Sequence, residues 1–215
     1  MVSALPSPVR PISGGSTYSW DPANGPMTRI YHSDALSQDG LKRRQFGPLE
    51  RFDHHTPDHA APAVDPDGRS ILYMAPSLGT CGAEVFGDSR EANICASFRA
   101  IVALPSRTAL LQELVGPPVM AIGALIGLST GDVPRTRSQE WAQAIYEDHP
   151  ARVEVEGVHY LAAHDGQGAI ALWDRAPTLE IALHPDGGLA DVPLTFPPVW
   201  RRLLSATLAE QGRSV

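Results

Sequence analysis

The sequence predicts a single α+β domain. Strand-like and helix-like segments follow one another in mixed order, without the regular strand–helix–strand alternation of a parallel α/β fold. The 215 residues suffice for one domain with a full core, and they contain no internal repeat and no linker that would divide them. Hydrophobic residues make up 43% and charged residues 19% of the chain, a composition typical of a soluble globular protein.

The first 27 residues are predicted to form an extended arm. They contain several proline, serine and glycine residues and show little periodicity. Tyr18 and Trp20 are the side chains through which this arm would pack on the domain. The domain itself is predicted to occupy residues 28–215, and its first strand, 27–32, begins at the end of the arm.

A long polar segment, residues 33–69, follows that strand. Segments of this length inside compact domains are often functional. The segment contains His54, His55 and His59, and histidine pairs are common zinc ligands. Pro57 interrupts any regular helix there, however, and no cysteine pair or HExxH motif completes a metal site. We therefore interpret these residues as loop histidines and predict no metal.

The next segment combines a strand with a short helix. Residues 71–75 are apolar and aromatic, which favours a strand. Pro76 and Ser77 then interrupt the run. The following residues, 78–86, predict a helix that carries one carboxylate, Glu84.

The remaining elements are predicted from apolar runs and helical periodicity. Further strands are expected at 94–104, 108–114, 158–162, 169–173 and 179–183. Further helices are expected at 119–127, 137–147 and 199–210. The Asp165-Gly166 pair is a tight-turn sequence, so strands 158–162 and 169–173 are predicted to form a β-hairpin.

The net charge of the chain argues against one class of binding partner. The chain has 24 acidic residues against 17 lysines and arginines, a net charge of −7, which argues against broad nucleic-acid binding. The densest basic run, 42–44, is predicted to be solvated.

Cys81 and Cys95 are predicted to be buried, reduced thiols. No signal-peptide pattern is present, and the longest apolar run, 115–128, is too short to span a bilayer, so we expect a cytoplasmic protein.

Residue types alone do not decide the chemistry. The chain has no GxSxG elbow, no GxxxxGK[ST] loop and no GxGxxG motif after a strand. Arg29, Arg51, Tyr73 and Glu84 could share a cleft. They could equally be surface arginines in ion pairs, a core tyrosine and a solvated glutamate.

Eight short stretches, however, occur together in a characteristic order. They are RIY at 29–31, FG at 46–47, RF at 51–52, ILYMAPS at 71–77, GAEVF at 82–86, QEWAQAI at 139–145, GVHY at 157–160 and ALWDRA at 171–176. In this order they resemble the RES-domain family, the NAD-directed toxins of Xre–RES toxin–antitoxin modules. The resemblance spans residues 28–176, most of the predicted domain.

This resemblance implies an ADP-ribosyltransferase-like α+β fold, with mixed sheets around a central cleft and flanking helices. NAD would bind in the cleft as a substrate, and no cofactor is expected. Family members cleave the nicotinamide–ribose bond by hydrolysis or phosphorolysis, or transfer ADP-ribose to a protein. The implied protein partner is a cognate Xre-type antitoxin, and self-association into a homo-oligomer is compatible with the sequence.

The resemblance also implies roles for matching positions. Arg29 would hold the NAD pyrophosphate, since a guanidinium offers a planar fork of charged donors. Arg51 would contribute to the same anionic pocket. Tyr73 would stack on the flat, cationic nicotinamide ring. Tyr31 and Gln139, which lie in or beside matching stretches, are further expected to bind NAD.

Glu84 is the predicted centre of catalysis, with Arg29 and Tyr73 beside it. Departure of nicotinamide leaves positive charge on the ribose, which one fixed carboxylate can stabilise. The carboxylate could also hold a ribose hydroxyl or orient the attacking nucleophile. Because nicotinamide leaves as a neutral molecule, no general acid is needed, and a single carboxylate suffices.

One position departs from the family pattern. The family serine that follows the GVHY strand is Ala162 in this chain. A serine there would only orient groups or donate a hydrogen bond, so its loss should weaken the reaction while Arg29 and Glu84 remain. Ala162 would alternatively mark a divergent branch or a non-catalytic homologue. Thr136 or Ser138 is the predicted source of a substitute hydroxyl.

Overall fold

The computed structural model describes residues 5–34, 39–87, 93–182 and 191–199. Its strands are β1 Thr17–Trp20, β2 Met27–His32, β3 Phe46–Gly47, β4 Ala63–Val64, β5 Ile71–Met74, β6 Phe98–Pro105, β7 Ala109–Glu113, β8 Gly157–Leu161, β9 Gly168–Trp173, β10 Leu179–Ile181 and β11 Asp191–Pro193. Its α-helices are α1 Leu78–Phe86, α2 Pro117–Ala121, α3 Gly127–Thr130 and α4 Arg135–Asp148. These elements form the predicted mixture of strands and helices.

Two larger sheets and one two-stranded ribbon organise these strands. The first sheet has the order β1-β7-β8-β9-β5, in which only β7 and β8 run parallel. In the second sheet, β6 pairs antiparallel with β2, β10 and β11. β3 and β4 form the ribbon within the long polar segment. The predicted hairpin is confirmed as β8 and β9, which pair from Gly157 opposite Leu172 to Leu161 opposite Gly168.

The two larger sheets meet where β2 passes the end of β5. Thr28 and Ala75 exchange backbone hydrogen bonds of 2.7 and 2.9 Å between them. The Cys81 thiol of α1 also donates to the Thr28 carbonyl oxygen, at 3.0 Å. As a result, β2, β5 and α1 converge at one place in the fold.

Helix α1 begins and ends where its sequence predicts. The Ser77 hydroxyl caps the first turn by accepting a hydrogen bond from the Thr80 amide at 3.0 Å, a contact usually worth about 1 kcal/mol. The buried face consists of small side chains, Thr80, Cys81 and Gly82, which allows the helix to lie close to β2. Glu84 is therefore left on a face that is not buried in the core.

The core lies on both faces of the first sheet. Along β9, Ala169, Ala171 and Trp173 belong to one hydrophobic cluster, while Ile170 and Leu172 belong to a second. Successive side chains of a strand point to opposite faces, so this alternation shows that both faces of β9 are covered.

The N-terminal residues also contribute to this core. Leu5 and Ile12 are buried in the first hydrophobic cluster, and Trp20 is buried in the second. β1 pairs with β7 from Thr17 opposite Gln112 to Trp20 opposite Ala109. The segment is thus anchored to the rest of the domain by these buried side chains and by the β1 pairing, while residues between them, such as Val9, are exposed.

Several predicted boundaries differ from the structure. The strand expected at 94–104 begins only at Phe98. The helix expected at 119–127 is two shorter helices, α2 and α3, because Gly123 between them has a φ of 87° that no α-helix accommodates. The strand expected at 179–183 is observed as Leu179–Ile181, and its last residue lies outside the described residues, as does nearly all of the helix expected at 199–210.

The cysteine prediction is correct for one residue and wrong for the other. Both thiols are free, and burial raises the pKa of Cys81 to about 12. Cys95 is exposed, because it precedes β6 in a segment that the core does not cover. In the described ranges, no helix is long and apolar enough to cross a membrane.

Candidate active site

A cavity of about 370 Å³ opens at the convergence of β2, β5 and α1. Its charged and aromatic lining residues are Arg29, Arg44, Arg51, Arg135, Glu50, Glu84, Tyr73 and Tyr160. Four arginines thus face two carboxylates in a chain whose net charge is −7. The cavity is locally electropositive and favours an anionic ligand.

Arg29 reaches the cavity from β2. Its Nη1 donates to the carbonyl oxygens of Gly40 and Lys42, at 2.9 and 3.2 Å. Only 9% of the residue is exposed. Burial, together with the nearby charge of Arg44, lowers the pKa of Arg29 to about 10. The guanidinium is still protonated at neutral pH, and a bound anion would offset the cost of its burial.

Tyr73 lies on β5 and is held through its hydroxyl group. The hydroxyl donates to Asp53 Oδ1 at 2.8 Å and accepts a hydrogen bond from the Phe52 amide at 3.2 Å. Burial raises the pKa of Tyr73 well above its ordinary value, so the phenol stays neutral. Since its polar end is bound in the protein, Tyr73 presents an oriented ring to the cavity.

Glu84 extends from α1 to the cavity and is held by one hydrogen bond and one ion pair. Its Oε1 accepts a hydrogen bond from the Ala163 amide at 2.6 Å, and its Oε2 lies 3.7 Å from Arg51 Nη2. The side chain remains 25% exposed. Glu84 is thus oriented by the protein and accessible to a ligand at once.

Arg51 belongs to the long polar segment and lines the cavity beside Glu84. Its two terminal nitrogens donate to the carbonyl oxygens of Ser129 and Leu161, at 3.3 and 3.2 Å. The guanidinium carbon also lies 4.9 Å from the centre of the Tyr160 ring, within cation–π range. These contacts connect the wall that carries Arg51 to α3 and β8.

The structure therefore brings together four of the predicted residues, Arg29, Arg51, Tyr73 and Glu84, around one cavity. Tyr31 is not part of the lining. Its hydroxyl donates to the carboxylate of Asp191, at 3.1 Å to either oxygen.

Gln139 also lies behind the cavity wall. It is 5% exposed, and its side-chain amide donates to the Glu50 carbonyl oxygen at 3.1 Å. Gln139 therefore contacts the backbone that carries Arg51. Its predicted role in binding NAD, like that of Tyr31, stays a prediction.

Sequence reasoning missed several residues of this site. Arg44 was expected to be solvated as part of a basic run, but only 10% of its side chain is exposed, because it forms an ion pair of 2.8 Å with the fully buried Asp53. Arg135 and Glu50 line the cavity without any motif that marks them, and Tyr160 lines it from the GVHY stretch, for which no role of the tyrosine was predicted. The one available signal for Arg44 and Asp53 was their position within a segment long enough to be functional.

The three histidines of that segment have different environments. His54 and His55 are fully buried, whereas the His59 side chain is 60% exposed. All three lie outside helices and strands. Within the described part of the chain, no group of three or more histidine, cysteine or acidic residues is arranged to hold a metal ion.

Ala162, which the resemblance places at the position of the family serine, does not line the cavity. It is 1% exposed, and its backbone forms a turn by bonding to Gln167 and Gly166. Thr136 is exposed and Ser138 is fully buried, and neither lines the cavity, so the hydroxyl groups predicted to replace the serine do not reach it. The backbone amide directly after Ala162 is the donor that holds Glu84.

The fold and the cavity define an α+β protein with two large sheets that meet beside an arginine-rich pocket. The family model of the RES domain matches residues 26–197, and the chain belongs to this family. A chain from the crystal structure of the M. tuberculosis MbcT–MbcA toxin–antitoxin complex has a similar fold, with a TM-score of 0.55 at 19% sequence identity, over 88% of this chain and 91% of that chain. A search of curated proteins finds no match. The predicted α+β fold with mixed sheets and flanking helices is thereby confirmed, and it is consistent with an ADP-ribosyltransferase-like fold.

Proposed function

We propose that this protein is an NAD-consuming enzyme that cleaves the nicotinamide–ribose bond and acts as the toxin of a toxin–antitoxin module in the cytoplasm. One observation carries the proposal: Glu84, a carboxylate oriented by the Ala163 amide, lies at a cavity lined by four arginines and two tyrosines in an otherwise acidic chain. Membership of the RES-domain family supports the same substrate.

The arginines of the cavity suit the pyrophosphate of NAD. Arg29 is buried without a carboxylate partner among the described residues, and its Nη1 alone is engaged by backbone carbonyl oxygens. A pyrophosphate oxygen is a strong acceptor for the rest of the guanidinium. The neutral ring of Tyr73, oriented through its hydroxyl, would offer a flat surface to the nicotinamide.

Glu84 would act on the ribose next to the nicotinamide. When the C1′–N bond breaks, its electron pair goes to the ring nitrogen, and the nicotinamide leaves as a neutral molecule. The positive charge that develops on C1′ and O4′ would be stabilised by the Glu84 carboxylate. An oxygen of water or phosphate then bonds to C1′, and the proton of the nucleophile passes to solvent. The Ala163 amide and Arg51 would keep the carboxylate in place.

Two alternatives share this site. A protein ADP-ribosyltransferase would use the same bond cleavage with a protein side chain as acceptor. A catalytically silent RES-like binding protein is motivated by Ala162. The backbone of Ala163 holds Glu84 without any serine side chain, and this observation favours an active enzyme.

A cognate Xre-type antitoxin is the proposed protein partner. The solved neighbour comes from a toxin–antitoxin complex, which supports a similar assembly for this chain. The net charge of −7 suits a protein as the direct partner better than DNA.

NAD turnover by the purified protein tests this proposal. Loss of NAD and the identity of the products would be measured by chromatography, with and without phosphate and with and without a protein acceptor. The chain and a Glu84→Ala variant would be compared with Glu154→Ala, a control that removes a carboxylate with a 67% exposed side chain outside the cavity. We expect free nicotinamide from the wild type and the control, and almost none from Glu84→Ala.

The acceptor distinguishes the alternatives. Faster turnover with phosphate indicates a phosphorylase, and labelling of added protein indicates an ADP-ribosyltransferase. Absence of turnover in the wild type under all these conditions would overturn the proposed activity and favour the silent binding protein.

A further inference from the structure

We propose that Asp53 is a positioning residue of this site. Its carboxylate joins the β5 wall of the cavity to the wall that carries Arg51. This inference rests on the proposed function, because it assigns Asp53 a role in NAD turnover. Asp53 itself does not line the cavity. It would act through residues that do.

Asp53 connects three cavity-lining residues, of which two lie in its own segment and one lies on β5. Its Oδ1 accepts the Tyr73 hydroxyl at 2.8 Å, and its Oδ2 accepts the backbone amides of Leu49 and Glu50 at 2.5 and 3.1 Å. Arg44 Nη2 lies 3.0 and 2.8 Å from the two oxygens. Of these four partners, only Leu49 does not line the cavity. One carboxylate thus holds a strand residue, a loop and an arginine at fixed distances.

Because Asp53 is buried, its carboxylate depends on these donors. Asp53 is 0% exposed, and a buried carboxylate is costly unless donors surround it. Each of its oxygens is directed at particular donors, so its position determines where those donors lie. A change at Asp53 should therefore displace Tyr73, Arg44 and the loop together.

The loop is held from its other side by α4. Three side chains spaced four residues apart on one face of this helix donate to loop carbonyl oxygens, at 3.3, 3.1 and 2.5 Å. The donors are Arg135, Gln139 and Gln143, and the acceptors are Leu49, Glu50 and His55. Arg51 therefore lies in a segment that is bound on both sides, by Asp53 and by α4.

Such positioning should matter for turnover. Arg51 faces Glu84 at 3.7 Å, and the Phe52 amide donates to the Tyr73 hydroxyl. A displacement of about 1 Å in a reacting geometry can lower a rate on the order of 10²-fold. Asp53→Asn removes the charge that pairs with Arg44 and replaces one acceptor oxygen with a donor. We expect kcat/KM for NAD to fall about 10²-fold, with a rise in KM and a fall in kcat.

A matched control is present in the same segment. Asp65 is 4% exposed, and its carboxylate likewise accepts backbone amides, those of Thr56, Asp67 and Arg69. None of these residues lines the cavity. Asp65→Asn should therefore lower the unfolding temperature while leaving KM and kcat close to the wild-type values.

The experiment measures KM, kcat and thermal unfolding for the wild type, Asp53→Asn, Asp65→Asn, Tyr73→Phe and the double variant Asp53→Asn/Tyr73→Phe. Tyr73→Phe removes one bond to Asp53 and keeps the carboxylate, so it tests the proposal even where Asp53→Asn does not fold. If Asp53 acts through Tyr73, the loss in the double variant is smaller than the product of the two single losses.

The outcomes separate this inference from the proposed function. Normal wild-type turnover with an Asp53→Asn variant that behaves like Asp65→Asn overturns the inference alone. If Asp53→Asn does not fold, a Tyr73→Phe variant with wild-type KM and kcat overturns it as well. A wild type without NAD turnover overturns the proposed function, and the inference falls with it.

Discussion

Two adjacent residues, Asp53 and His54, are both fully buried and both hydrogen-bonded, yet they belong to different environments. Asp53 faces the cavity wall through Tyr73 and Arg44. His54 faces away from it, and its Nε2 donates to Asp174 Oδ1 at 2.8 Å. Burial of a polar group therefore does not mark function by itself. The location of its partners decides whether it supports a site or a core.

The two environments contain the same kind of side-chain contact, an arginine over a tyrosine ring. On the cavity side, Arg51 lies over Tyr160, while on the core side Arg69 lies over Tyr146, at 4.9 and 4.7 Å from the ring centres. Each arginine also donates to a backbone carbonyl and lies near a glutamate. Variants on the two sides can therefore be compared directly.

The largest expected effect lies on the cavity side, at Glu84. Glu84→Gln keeps the shape of the side chain and removes the charge that would stabilise the ribose cation. We expect kcat for NAD to fall by about 10²- to 10³-fold, with an unfolding temperature within a few degrees of the wild type, since the side chain is not part of the core. Wild-type kcat in a folded Glu84→Gln variant would contradict the assignment of Glu84.

The second largest effect is expected from replacing Arg51, with Arg69 as its counterpart on the core side. Arg51→Lys loses the fork that reaches Ser129 and Leu161 and replaces it with a compact ammonium group of the same charge. NAD turnover should fall roughly 10-fold or more, because the loss of about 1.4 kcal/mol of interaction free energy corresponds to a tenfold change in rate. Arg69→Lys should instead lower the unfolding temperature and leave turnover unchanged. Equal losses of turnover in both variants would remove the distinction between the two sides.

Acid should act on the core side through His54. Burial lowers the pKa of His54 to about 4, despite the carboxylate of Asp174. The unfolded chain, with a histidine pKa of about 6.5, therefore binds more protons than the folded chain between these values. Stability contributed by neutral His54 is present above about pH 6.5 and is lost as the pH falls toward 4, by up to about 3 kcal/mol. Urea unfolding of the wild type at pH 7 and pH 5 should show this loss, and a His54→Gln variant should show a smaller one.

The smallest effect is expected at Ala162. Ala162→Ser restores the family serine next to the amide that holds Glu84. One additional hydrogen bond contributes about 1 kcal/mol, so turnover should rise by roughly fivefold at most. A gain of several hundredfold would instead show that this chain is a nearly inactive branch of the family. Steady-state NAD kinetics of the two proteins measure the difference.

Local sequence signals predicted the strand and helix that carry Tyr73 and Glu84. The apolar run and its interruption at Pro76 and Ser77 predicted both elements, and the structure adds that Ser77 caps the helix through a contact between near neighbours. The β8–β9 hairpin was predictable for the same reason, from Asp165-Gly166. The helix expected at 119–127 was not, because an apolar run alone did not reveal that Gly123 interrupts it.

The family resemblance added the four residues that share the cavity, but not their supports. Arg44 and Asp53 were unremarkable in the sequence, since a charged residue in a loop is usually solvated. Tyr31 and Gln139 lie in or beside matching stretches and yet do not line the cavity. A motif records which residue types occur in order, whereas the direction of each side chain depends on what packs around it.

The sequence by itself determined the α+β class and the bounds of α1, and its resemblance to a family singled out Arg29, Arg51, Tyr73 and Glu84, because local propensity and residue order are properties of the chain. The tertiary structure decided which groups hold them. Glu84 is bound by an amide 79 residues away, and Tyr73 by a carboxylate 20 residues away. Such pairs form only when separate elements pack, so the central place of Asp53 follows from the fold and from no motif.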